Sequence, residues 1–69
     1  MRLTIIPSDF TVSVDGVAKT PLLWDGTPAD VHALQWCETY GEIELLNPTR
    51  NEQIQELPQW ALNAVSSWE

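Results

Sequence analysis

Apolar and polar residues alternate through the first two thirds of this chain, then switch to a helical period near residue 57. Arg2 to Ile6 is β-branched and apolar, ends at Pro7-Ser8-Asp9, and reads as a first strand. Phe10 to Val14 alternates strictly, with Phe10, Val12 and Val14 on one face. Asp15-Gly16 then predicts a tight hairpin into Val17–Thr20, because a type I′ turn needs positive φ at both central residues. In that register Val14 faces Val17, and Lys19 falls on the same side. Either that face opens near Lys19 or the third strand is short.

Pro21 to Trp24 is a brief apolar run, predicted to cover one edge of the core, and Asp25 to Pro28 is rich in turn residues. Val31 to Trp36 reads as a strand whose more apolar face carries His32, Leu34 and Trp36. A turn over Glu38–Gly41 follows, with Gly41 as its left-handed residue. Glu42 to Leu45 alternates again, Ile43 and Leu45 inward. Asn47 to Asn51 is a loop, and Glu52 to Glu56 fits either an extended piece carrying Ile54 or a turn. From there Leu57, Trp60, Ala61, Ala64, Val65 and Trp68 form one stripe of a helix with Pro58 in its first turn. Such a short helix holds only by docking that stripe. The expectation is an α+β fold in one domain, residues 1–69. It is a small antiparallel meander of four to five strands over 1–46, closed on one face by a C-terminal helix over 57–69.

Size sharpens this picture. A chain of 69 residues buries only about 60% of its unfolded surface and ordinarily needs a staple. Cys37 is the only cysteine, so no intrachain disulfide forms, and it fits a reducing compartment. Stability then rests on packing four tryptophans or on a partner. Ten acidic against three basic residues give a net charge of −7. That surface repels phosphate backbones and anionic membranes, which argues against nucleic-acid and membrane partners, and it suits solubility or a basic partner surface. No apolar run approaches the ~20 residues of a membrane span, and Met1–Asp9 lacks the pattern of a signal peptide.

Chemistry is sparse. His32 and Cys37 lie five apart, but alternation sets them on opposite faces of one strand, against a nucleophile pair. Glu42 and Glu44 share a face, as the solvent side of a half-buried strand does. Asp9, Asp15, Asp25 and Asp30 fall in turns. No spacing matches a calcium loop, a phosphate loop, a zinc site or a nucleophile elbow. The expectation is a protein without catalytic residues, metal or cofactor. Trp60 and Trp68 read as core. Trp24 and Trp36 read either as core or as anchors for a partner. With His32 and Tyr40 of the same aromatic-rich stretch, they are the candidate partner-binding residues.

LTIIPSD at the start, VDGV at the hairpin, TPADVHALQW, GEIEL, and NEQIQELPQWA near the end form a pattern over nearly the whole length. In it the chain resembles a family of short proteins of tailed bacteriophages and prophages, the tail assembly chaperone or tail fibre assembly proteins. It departs from that pattern at Cys37 and at Lys19. The resemblance implies an accessory protein that binds a phage tail fibre or another tail component in the host bacterial cytoplasm, or that stays in the virion tail. Two other roles remain open beside a chaperone: a structural tail component, and a small acidic phage-encoded inhibitor of a host protein.

Overall fold

The computed structural model describes residues 1–69, the whole of the sequence given. Six strands and one helix follow in order: β1 (Arg2–Ile6), β2 (Thr11–Val14), β3 (Val17–Lys19), β4 (Val31–Cys37), β5 (Tyr40–Leu45), β6 (Arg50–Ile54) and α1 (Gln59–Trp68). The strands form one antiparallel sheet in the order β3-β2-β1-β4-β5-β6. The α+β class and the terminal helix are as the pattern predicts. The strand count is six instead of four to five, and the sheet is not a continuous meander. Two three-stranded meanders meet back to back where β4 pairs with β1. The connection from Thr20 to Asp30 carries the chain from the β3 edge to that central position.

β1 and β4 sit in the middle and carry the fully buried side chains Leu3, Ile5 and Leu34. Leu3 and Ile5 of β1 lie opposite Val14 and Val12 on one side and Trp36 and Leu34 on the other. These side chains share the face that α1 covers, where Trp60, Ala61 and Ala64 complete a single buried cluster. The two alanines let the helix backbone approach closely, and the Trp60 indole fills the volume beside them. Pro58 stands just before the helix as its N-cap residue, and its carbonyl accepts from the Ala61 and Leu62 amides at 3.0 and 3.2 Å. Leu57 therefore lies outside the helix, yet still packs on the core.

The far end of α1 is fixed by Trp68. Its indole N–H donates to the Val17 carbonyl at 2.9 Å. Lys19 Nζ sits 4.2 Å over its ring and donates to the Trp68 carbonyl at 2.7 Å. A cation at a helix C-terminus meets the unpaired carbonyls and the negative end of the dipole. Both alternatives foreseen for Lys19 hold together: β3 has three residues, and its face stays exposed.

Three local readings need correction, and one left open is resolved. Phe10 is not the first inward residue of β2. The chain winds through a 3-10 turn at Pro7–Asp9, and Phe10 then takes a left-handed conformation, φ 53°, ψ 36°, outside the strand. His32 is not on the face of Leu34 and Trp36 either. A register shift between Val31 and Ala33 places an extra residue there, so Val31 regains the core side and His32 is exposed. Gly41 is not the left-handed turn residue; Glu38 is, with φ 59°. The ambiguous stretch after Asn51 belongs to β6, which extends the sheet beyond residue 46. The Asp15-Gly16 hairpin forms as the dipeptide predicts, with φ of 50° and 85°.

Candidate functional site

Three features of the sequence shape the β4–β5 hairpin. Trp36 lies directly opposite Gly41. A Cβ built on Gly41 would collide with the Gln35 carbonyl oxygen and stand 3.0 Å from Trp36 Cα and Cε3. Glycine is needed here for close approach of the indole and the neighbouring strand. Ile54, opposite Gly41 on its other side, packs on the same cluster. Glu38 turns the hairpin and is held from three sides. Its amide donates to the Met1 carbonyl at 2.9 Å, its carbonyl accepts from Trp36 Nε1 at 3.1 Å, and its carboxylate accepts from the Met1 ammonium at 3.0 Å. That hydrogen bond, aided by the charge of Glu38, raises the pKa of the Met1 ammonium above its ordinary value.

The four residues proposed to bind a partner do not share a surface. Trp36 is a core residue, 9% exposed, with its one polar atom satisfied inside the hairpin. Trp24 is half-buried; it packs on the core cluster and donates through Nε1 to Thr27 Oγ1 at 2.7 Å. His32 is exposed at the bulge, at the start of β4. Tyr40, 61% exposed, pairs with Cys37 at the opposite end of that strand. Of the four, only Tyr40 and His32 present their side chains freely.

Two exposed apolar side chains come together where the chain enters β2 and leaves β3, while Met1, Val17, Tyr40, Leu46 and Leu62 are exposed elsewhere. Phe10 is 50% exposed and Leu23 81%. With Pro7, Leu22, Trp24 and Thr27 they line a shallow groove of about 170 Å³. The Leu22 amide donates to the Phe10 carbonyl at 2.8 Å, which clamps the two segments together. The Asn63 side chain donates to the Asp25 carbonyl at 3.0 Å and ties the same connection to α1. A bulky aromatic residue in the left-handed region is unusual and costs on the order of 1–2 kcal/mol. The surrounding hydrogen bonds hold it there while its ring faces solvent. Asp9 and Asp25, both exposed, adjoin Phe10 and Trp24 in sequence.

Alternation counted Phe10 as core and the Pro21–Trp24 run as an edge of the core. The signals pointing outward were Pro7-Ser8-Asp9 immediately before Phe10, a turn that resets the alternation, and two leucines side by side at Leu22-Leu23. In extended chain such neighbours face opposite ways, so one of them is left outside.

A second feature is the sheet face turned away from α1. Ser13, Thr4, Gln35, Glu42 and Gln53 stand opposite one another in consecutive register pairs and form a polar row across five strands. A concavity of about 940 Å³ runs over this row, with Arg2 and Tyr40 at its margin. No side-chain cluster of three or more His, Cys, Asp or Glu residues has a metal-binding arrangement. No helix is long and apolar enough to cross a membrane. Comparison with protein-family models, with curated proteins and with solved structures finds no match to this chain.

Proposed function

We propose that this protein is a non-catalytic accessory protein that binds a tail-fibre or other tail component of a tailed phage and assists its assembly. The observation that supports the reading is the apolar patch of Phe10 and Leu23, held toward solvent at an energetic cost by a clamped backbone. Exposed apolar groups on a small domain mark interaction surfaces, and a left-handed aromatic residue persists only where its surroundings over-determine it. The net charge of −7, with exposed Asp9 and Asp25 next to patch residues in sequence, favours a partner whose apolar socket has a basic rim. The phage assignment follows from the resemblance of the VHALQW, GEIEL and LPQWA segments to tail assembly proteins.

Co-expression with the fibre and tail proteins of the genome that encodes it tests the proposal. The expected result is a stoichiometric complex with one of them, and a fibre that fails to trimerise when the protein is left out. A fibre that folds, trimerises and adsorbs normally without it rejects the assembly role. Mass spectrometry of purified virions then separates transient from retained binding, since a chaperone leaves the particle and a structural component stays at fixed stoichiometry.

A further inference from the structure

The helix-free face of the sheet is polar, and it is concave over its central row. Its central row is made of hydroxyl, amide and carboxylate side chains in register, one from each of five strands, and the row lies inside the concavity of about 940 Å³. Thr4 Oγ1 donates to Gln35 Oε1 at 2.7 Å, which fixes the amide at the centre of the row and leaves its NH2 directed elsewhere. The Arg2 side chain makes no ion pair or hydrogen bond within the chain. Lys19, by contrast, is engaged with Trp68, and Arg50 lies near Asp30 and Glu52. Glu42 contributes one negative charge to the same groove.

These groups select against several ligand classes. One cation and one carboxylate leave the groove without a strong charge, so neither anions nor cations are favoured, and the overall charge of −7 opposes anions further. A row of hydroxyls and amides wastes its hydrogen-bonding capacity on an apolar ligand. Peptides bind sheets by adding to an edge or by filling apolar grooves; this is a polar face in the middle of a sheet. A hydroxyl-rich ligand fits, because each sugar hydroxyl both donates and accepts, as Ser13, Thr4, Gln35 and Gln53 do. The exposed Tyr40 ring at the margin supplies the flat apolar surface that one face of a sugar ring needs.

We propose that this groove is a binding site for a neutral saccharide, with Gln35 and Gln53 as hydrogen-bonding residues, Tyr40 as the stacking surface and Arg2 as a flexible donor at the edge. The site lies on the face opposite α1 and is independent of the Phe10–Leu23 patch. A broad glycan array, followed by 15N–1H NMR titration with maltotriose, cellotriose and chitotriose, tests it. The expected result is saturable binding of a neutral glycan that shifts the Thr4, Ser13, Gln35 and Gln53 signals. Gln35→Ala and Tyr40→Ala, both at exposed positions, should each weaken binding by about tenfold or more while melting with the parent. His32→Ala, outside the groove, should leave it unchanged. Absence of binding across the array and the three oligosaccharides overturns the proposal. So does binding only to acidic glycans, binding that survives both groove variants, or the same shifts produced by a Ser/Gln-rich peptide and by no sugar.

Discussion

The β4–β5 hairpin and the Phe10–Leu23 corner are both rich in apolar side chains, and they spend them in opposite ways. In the hairpin Trp36 is folded over Gly41 and its N–H is bonded to Glu38, so the indole is consumed by the core. In the corner a 3-10 turn and a left-handed residue lift Phe10 out of the strand, and Leu23 projects almost fully into solvent. The hairpin carries the Trp36 indole inward and leaves Tyr40 outside, whereas in the corner both Phe10 and Leu23 are at least half exposed. Backbone geometry, more than residue type, decides which bulky side chains can meet a partner.

If this contrast is right, truncating the hairpin and its partner helix should cost the most. Trp60→Ala and Trp36→Ala each remove a buried indole and should destabilise by about 3 kcal/mol or more in urea unfolding. A near-parental midpoint for either would place that ring outside the core. Gly41→Ala comes next. The added methyl has no room beside the Gln35 carbonyl and Trp36, and should cost about 1–3 kcal/mol even though alanine is a small change. An unchanged Tm would mean that the indole does not lie against this glycine.

The corner should respond in the opposite sense. Phe10→Gly relieves the left-handed backbone as it deletes a half-exposed ring, so stability should move by less than about 1 kcal/mol. Leu23→Ser should stay within about 0.5 kcal/mol. A loss of several kcal/mol from either would turn the corner into a second core. The smallest effect belongs to the Met1–Glu38 pair. The folded-state pKa of the ammonium is raised, so its contribution is fully present below the ordinary amine value and is lost as pH rises through the folded value. Both groups are exposed, so a shallow alkaline decline in Tm is expected that Glu38→Gln removes. An identical decline in that variant would assign it to other groups.

How far the sequence reached follows from which forces act locally. Asp15-Gly16, the helix stripe, the β-branched run of β1 and the alternation of β5 were legible because turn chemistry, residue type and periodicity specify them within a few residues. β6 was only half legible, as one of two alternatives for the stretch carrying Ile54, since Arg50 to Ile54 carries a single apolar side chain and is a strand only through its ladder with β5. The bulge at His32 was invisible for a related reason: it brings Val31 opposite Leu45 on the core side, a requirement set by a distant strand. Pairing of β4 with β1 was also illegible, because nothing local distinguishes it from pairing with β3. For the interaction surface, residue type pointed to Trp24, Trp36, His32 and Tyr40. Burial withdrew Trp36 and most of Trp24, while Phe10 and Leu23 emerged from segments assigned to the core.

The decisive measurement joins stability to binding in a single variant. Phe10→Gly combined with Leu23→Ser should melt within about 1 kcal/mol of the parent and lose at least about tenfold in affinity for the co-expressed tail component. Undiminished affinity in that double variant, with the fold intact, would contradict the assignment of this corner as the docking surface.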